Sequence, residues 1–414
     1  MMQERYTRDQ KMIVVLCMIA YTVLYFMRLN ISVAITDLGA ELALDRTQQG
    51  AITSAFFWSY AVGQLINGYL GERLPARYMV FVGLLASGIL NAVLSFTDSY
   101  TVTLFCWGLN GLFQSMLWSP IVKCTALYFS EQQRIIASFA LSITQVLGYM
   151  LGWTVSYFMN TSIGWRYVFR VPAVFGIVFA IVWFFLFRYG SREAPVNVRR
   201  EKGASLLKRP VLVVFLGILA VYSIVFGLIK SSIDTWLPTM LTDLGKLPDG
   251  AILVTLLFVP MLNFAGILLS KMLVKRLKGD IYKSILYLWL GALVVSGASL
   301  ILFRVHPIAV VCAVSLLFGL VYGQTPLFTS FIPLDFAKWN CVSTVTGFID
   351  FAIYLGAGIT GLVSGAVLGN DYDWLALATY WLIVLAVGMV FASGIYLWHI
   401  RLRKVINREE LEWD

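Results

Sequence analysis

Six ionisable side chains lie inside long apolar runs of this 414-residue chain: Arg28, Lys123, Arg170, Lys230, Asp234 and Asp350. A charge at membrane depth costs at least about 2.5–3.5 kcal/mol on insertion scales, so each one calls for a partner, an exit to the interface, or a ligand. Arg28 sits four positions past the midpoint of the run between Lys11 and Asp37, and Lys230 sits four past the midpoint between Arg209 and Asp243. Four residues of helix rise about 6 Å. Two cations at matching depth in matching helices suit a divalent anion. Arg28 offers a planar fork for bidentate recognition, and Lys230 a point charge.

The neighbours of these residues define what else they could do. Arg28 shares a helical face with Tyr21, Tyr25 and Ser32, a polar and aromatic stripe fit to line a wet cavity. Snorkelling outward would take it roughly 13 Å, a long reach. Lys230 precedes Asp234 by one turn, so the pair could neutralise itself or act as a switch in which an anion competes for the ammonium. Lys123 follows Ser115 and Ser119 on one face and reads either as a snorkelling cation or as part of a substrate path. Arg170 is expected at the outer interface. Asp350, flanked by Thr346 and Tyr354, could carry a proton, pair with a buried Lys, or bind a substrate hydroxyl or amine. Ser138, Ser142, Gln145 and Tyr149 form another polar face, which serves helix packing or ligand contact equally well.

The elements that must position these groups are membrane helices. Hydrophobic residues make up 59%, charged residues only 13%, and the mean hydropathy is +0.81. A soluble domain carries about 25% charge. That excludes a soluble enzyme, a disordered chain and a nucleic-acid binder, despite a net charge of +9. The apolar runs are too long for barrel strands of about 10 residues. They predict twelve spans, over 12–36, 48–70, 78–97, 101–129, 134–159, 167–188, 211–242, 250–272, 282–303, 307–334, 339–368 and 374–399. The one long loop is strongly basic and separates six spans from six. It divides the chain into an N-terminal six-helix bundle (1–188), a cytoplasmic linker (189–209) and a C-terminal six-helix bundle (210–414). GYLGERLPARY after span two and SKMLVKRLKGD after span eight stand at corresponding places, as in transporters built from repeated halves.

Of 31 basic residues, 23 lie on one side and four on the other, which places both termini in the cytoplasm. Short loops favour a bacterial inner membrane, and no cleavable signal is expected before the first span. The five cysteines are scattered and the two histidines lie at opposite membrane edges, so neither a disulfide framework nor a metal site is expected. There is no phosphate-cradling Gly-x-x-x-x-Gly-Lys-Ser/Thr loop, nor any nucleophile–base pair at membrane depth. A monomeric, cofactor-free transporter is expected rather than an enzyme.

Two motifs carry a resemblance. Gly68-x-x-x-Glu72-Arg73-x-Pro75-x-Arg77 resembles the loop motif of the major facilitator superfamily, with Glu in place of Asp. Asn110-Gly111-Leu112-x-Gln114-x-x-x-Trp118-x-Pro120-x-x-Lys123 resembles the fourth-helix signature of the organophosphate:phosphate antiporters, the group holding glycerol-3-phosphate, hexose-phosphate and glucose-6-phosphate transporters. Tyr25-x-x-Arg28, Val225-Phe226-Gly227 with Lys230 and Trp236, and Gly347-Phe348 with Tyr354-Leu355-Gly356 are similar to the family's first, seventh and eleventh helices. The resemblance implies a major facilitator fold and exchange of a phosphorylated metabolite for inorganic phosphate. Arg28 and Lys230 would hold the phosphoryl group, with Tyr25, Lys123 and Gln145 as further substrate contacts. Glu72, Arg73 and Arg77 would form a cytoplasmic latch, and Asp234 and Asp350 are candidates for coupling. This chain departs from the family at Leu29, Ser119, Gln145 and Asp350, the last falling where small residues are usual. Two alternatives stand beside exchange: a proton-coupled symporter of a carboxylate or sugar acid, and a receptor that binds without transporting.

Overall fold

The computed structural model describes residues 6–44, 46–190, 210–245, 252–368 and 373–411. The basic loop read as the linker lies almost entirely outside the described residues. Twelve long helices account for most of the rest: α1 Arg8–Glu41, α2 Arg46–Arg73, α3 Ala76–Leu94, α4 Tyr100–Tyr128, α5 Glu131–Ile163, α6 Trp165–Gly190, α7 Pro210–Gly245, α8 Ile252–Arg276, α9 Ile281–Leu302, α10 Pro307–Tyr322, α11 Val342–Leu368 and α12 Trp374–Leu411. Among the described residues, nine stretches are long and apolar enough to cross a membrane. The helix α4 is not among them: Asn110, Gln114, Ser115 and Ser119 lower its hydropathy, and all four are fully buried. Large apolar side chains such as Phe175, Phe185, Val294 and Val390 face outward instead. This inversion is what a lipid solvent selects.

Local sequence sets the helix ends. Thr7 Oγ1 accepts from the Gln10 N–H at 3.2 Å while Gln10 Oε1 accepts from the Thr7 N–H at 3.0 Å, a reciprocal cap on α1. The Ser130 N–H donates to Gln133 Oε1 at the start of α5 in the same way, and Gln10 Nε2 reaches that oxygen at 3.1 Å, which ties the two helix starts together. Asp280 caps α9 through the Lys283 N–H at 2.9 Å. Between α10 and α11 the helix is irregular, with a π turn at Leu327–Phe331, a one-turn helix Ile332–Leu334 and a 3-10 turn Ala337–Trp339. Pro326 and Pro333 lack the N–H that regular α-helical pairing needs at those points.

The chain forms two compact units. The first holds α1 to α6 with Leu256–Met261 and Ser330–Tyr354, and the second holds α7, Leu262–Thr329 and everything from Leu355 on. In the first unit α2 lies along α4, α1 along α5 and α6, and α3 along α4 and α6. At its outer end Arg166 Nη2 bonds both Glu41 Oε1 and Asp98 Oδ1 at 2.5 Å, fastening α1, α6 and the turn before α4. Arg170, read as interfacial, donates to Ser95 Oγ and to the Ser95 carbonyl, each at 3.3 Å. In the second unit α12 lies along α7 and α9, and α10 along the same two helices. Trp289 Nε1 donates to the Leu385 carbonyl at 2.7 Å, Trp381 Nε1 to Ser232 Oγ at 2.8 Å, and the Tyr222 hydroxyl to Gln324 Oε1 at 2.9 Å.

Candidate functional site

Arg28 is buried in the first unit inside a box of aromatic rings. Its guanidinium carbon lies 4.7 Å from the ring centre of Tyr60, 4.9 Å from Phe56, 5.1 Å from Tyr354, 5.7 Å from Tyr25 and 5.9 Å from Phe57. Ring faces carry negative quadrupole density and stabilise a desolvated cation. Nη2 donates to the Tyr354 hydroxyl at 2.7 Å. Nη1 is buried and has no hydrogen-bond partner. No acid forms an ion pair with Arg28 among the described residues. A buried cation with an unused donor is costly unless something completes it, and an anion is the chemical complement of a guanidinium fork.

The backbone beneath Arg28 is held with care. The carbonyl of Met27 accepts from Asn110 Nδ2 and Gln114 Nε2 at 3.3 Å each and from Asn91 Nδ2 at 3.4 Å. Asn30 Nδ2 donates to Asn91 Oδ1 at 2.8 Å. Two polar residues of the fourth-helix motif thus anchor the helix that presents Arg28. On the other flank, Gly148 of α5 faces Tyr25, where an added Cβ would fall 2.4 Å from the Tyr25 Cβ. Tyr25 is therefore fixed between Tyr21 and Tyr149, at ring separations of 5.2 and 5.3 Å. Gln145, one turn before Tyr149, is buried and its Oε1 has no hydrogen-bond partner.

Asp350 lies on α11, one turn before Tyr354, and is buried. Its carboxylate is within electrostatic range of the hydroxyls of Tyr21, Tyr25, Tyr60 and Tyr354. Asp350 thus lies one helical turn from the tyrosine that bonds Arg28. Lys230 belongs to the second unit, where its ammonium sits 4.7 Å from the ring centre of Tyr322. Asp234 follows it one turn later on α7.

Lys123 takes a different place. Nζ donates to the carbonyls of Gly71 and Glu72 at 2.7 and 2.9 Å and pairs with Glu72 Oε2 at 3.1 Å. Two of its three donors are thus spent on carbonyls, and the ammonium is held as well by the ion pair to Glu72. Glu72 Oε1 also accepts from the backbone N–H of Thr344, in the first turn of α11, at 3.1 Å. A carboxylate is stabilised at such a helix start. Nearby, α2 and α11 approach backbone to backbone at Gly68 and Gly347, where a Cβ on Gly347 would fall 2.2 Å from the Gln64 carbonyl oxygen. Burial raises the Glu72 carboxyl above the usual carboxylate range, and the Lys123 ammonium works against that rise. Arg73 and Arg77 do not join Glu72. Arg73 stacks on Tyr69 at 4.3 Å, while Arg77 Nε donates to the Phe184 carbonyl at 2.7 Å.

A sequence profile described as Major Facilitator Superfamily matches residues 17–361. The chain belongs to the major facilitator superfamily. Its helices superpose on a solved major facilitator transporter, FucP, crystallised in the outward conformation, with a TM-score of 0.72 over 92% of this chain and 98% of that one, at 14% identity. Among relatives, a probable hexose phosphate transport protein of Chlamydia pneumoniae is 27% identical over 164 residues, 40% of this chain and 36% of its own length. The glucose-6-phosphate exchanger SLC37A1 of Homo sapiens is 31% identical over 141 residues, 33% of this chain and 26% of its own length. The chain thus matches about a third of these relatives' lengths. Membership of the superfamily and the likeness in fold make the protein a multi-pass membrane protein of the major facilitator architecture.

Several residues of the site escaped sequence reasoning. Phe56, Phe57 and Tyr60 lie three and four apart on α2 and build much of the ring box. Their spacing is a visible aromatic face, but no charged residue lies beside them on α2 to draw attention to it. Thr344 contributes only its backbone N–H, and nothing in its side chain could have announced that contact.

Proposed function

We propose that this major facilitator transporter exchanges a phosphorylated organic anion for inorganic phosphate by alternating access, with Arg28 holding the anion. The observation that carries this reading is the buried guanidinium with one nitrogen unpartnered inside a box of rings. The similarity to a probable hexose phosphate transport protein and to a glucose-6-phosphate exchanger supports the substrate class. Tyr25 and Gln145 would contact the ligand from either side of Arg28. Lys230 is the candidate cation of the second unit, with Asp234 beside it as a coupling group. Glu72 with Lys123 and the start of α11 would form the cytoplasmic latch, and Lys123 would act there rather than on the ligand. Arg73 and Arg77 would support that face through their ring contacts. The protein would work as a monomer in a bacterial inner membrane with both termini in the cytoplasm.

The test is counterflow in proteoliposomes loaded with phosphate. Labelled phosphate should accumulate inside, and external hexose phosphates should compete with it. Uptake of a non-phosphorylated substrate that needs no internal phosphate would overturn the exchange reading. A second reading, proton-coupled symport of an organic anion, is favoured by the burial of Asp350 beside the same rings. It requires that a pH gradient alone drive uptake.

A further inference from the structure

The sequence of α8 sets where Asn263 points. Asn263, Ile267, Ser270 and Val274 follow one another at helical spacing, and all four are buried. Met261, Phe264, Leu268 and Met272 fall between them and are exposed, as side chains facing lipid are. The two polar residues of the inward face behave differently. Ser270 Oγ donates to the Ile267 carbonyl at 2.8 Å, the local bond that a short hydroxyl side chain makes within its own helix. Asn263 makes no such bond. It is fully buried, and neither Nδ2 nor Oδ1 has a hydrogen-bond partner. Leaving both ends of a buried amide unpaired is costly, and packing alone would be served by a leucine at no such cost.

The end of α10 brings this amide near the cation of the second unit. A Cβ on Gly266, one turn after Asn263, would collide with the Gly319 carbonyl. A Cβ on Gly323, at the end of α10, would collide with the Gly266 carbonyl. The two helices therefore meet backbone to backbone at this level. Tyr322, next to Gly323, has the Lys230 ammonium 4.7 Å from its ring centre. Asn263 thus stands about one turn, roughly 4.5 Å of helix rise, from the level at which Lys230 meets α10.

We infer that Asn263 is a specificity-determining residue of the second unit, an amide that recognises a hydroxyl group of the transported organic anion. The inference rests on the proposed transport of a phosphorylated organic anion, with Lys230 as the cation of this unit. An amide carries two N–H donors and an accepting oxygen, and a sugar hydroxyl both donates and accepts. One hydroxyl, or two neighbouring ones, can therefore pair with Oδ1 and Nδ2 together. A phosphoryl dianion presents chiefly acceptors, which suit an ammonium and leave Oδ1 without a donor. The cation reads the charge that inorganic phosphate and an organic phosphate share. The amide reads the hydroxylated part that only the organic one has.

The test is direct binding of inorganic phosphate and of a hexose 6-phosphate to purified wild type, Asn263→Leu and Asn263→Ser, with the melting temperature of each ligand-free protein. Asn263→Leu should weaken hexose phosphate binding roughly tenfold or more, as expected for two neutral hydrogen bonds lost, and leave inorganic phosphate within about twofold. Its ligand-free melting temperature should hold or rise, because the amide has no protein partner to lose. Asn263→Ser keeps a donor and an acceptor on a shorter arm and should fall between wild type and Asn263→Leu. If Asn263→Leu does not fold, Asn263→Ala supplies the same comparison. Unchanged hexose phosphate affinity in the folded variants, or equal losses for both probes, would overturn the role of Asn263. Failure of the underlying reading looks different: wild type would then bind neither probe, and the inference would fall with it.

Discussion

Two basic residues of the first unit, buried Arg28 and half-buried Lys123, end up in opposite circumstances. Lys123 has two carbonyls as acceptors and an ion pair to the Glu72 carboxylate. Arg28 has one nitrogen on a tyrosine hydroxyl and another on nothing. A satisfied charge holds structure together, whereas an unsatisfied one at the same low dielectric is a site awaiting its complement. Sequence alone could not separate them, since both are basic residues within apolar runs. The difference lies in which groups the fold delivers to each.

The largest expected effect breaks the satisfied side of this contrast. Glu72→Ala leaves the half-buried Lys123 ammonium without its carboxylate, at a cost that approaches the ~3–5 kcal/mol of breaking a fully buried pair. Thermal unfolding in detergent should show a marked loss of stability, and adding Lys123→Met should recover part of it. If Glu72→Ala melts like wild type, the pair is not the fixed element described. The unsatisfied side responds to smaller changes. Tyr354→Phe removes the hydrogen bond on Arg28 Nη2, worth about 1.5–3 kcal/mol for a bond to a charged group. Anion affinity should change by roughly tenfold or more while the melting temperature moves little. Equal losses in both would make Tyr354 a packing residue instead.

Much of this was legible in the residues themselves. Arg28 stood out because an arginine at that depth, on a face with Tyr21 and Tyr25, has few innocent explanations. Gln145 was marked by its polar face and is now seen with a buried, unpartnered oxygen. The partner of Lys123 was not legible, because Glu72 lies 51 residues earlier and meets it only through the contact of α2 with α4. Glu72, Arg73 and Arg77 read as a single latch, yet neighbours along a helix point in different directions. Arg73 and Arg77 therefore meet rings, and only Glu72 meets α11. The asparagine and glutamine of the fourth-helix motif were visible as a resemblance. Their physical task, holding the Met27 carbonyl, depends on three helices meeting at one point.

That task predicts a modest effect. Gln114→Ala removes one interhelical hydrogen bond, and such bonds average about 0.6 kcal/mol in membrane proteins. A small drop in melting temperature with a small rise in KM should follow, both greater in the double variant with Asn110→Ala. A large effect from either single change would show that the network is more cooperative than pairwise bonds suggest.

The gentlest probe is pH. The Glu72 carboxyl is raised in this arrangement by burial, so the arrangement binds its proton more readily than a solvated glutamate does. The arrangement as a whole should therefore gain stability as pH falls through the raised value and lose it as pH rises through it, even though the Thr344 N–H itself favours the ionised carboxylate. Hydrogen exchange at the start of α11 measures this, and Glu72→Gln should abolish the dependence. A dependence of opposite sign would mean that the carboxylate is better satisfied by Lys123 than its burial implies.

The contrast between the two cations is tested most directly by anion binding to purified Arg28→Ala and Lys123→Met, measured against wild type with a hexose phosphate. The account predicts that Arg28→Ala loses binding by roughly tenfold or more, as expected when a charged hydrogen bond to the ligand is removed. It also predicts that Lys123→Met, once shown to be folded, keeps near wild-type affinity. Retained affinity in Arg28→Ala, or its loss in folded Lys123→Met alone, would contradict it.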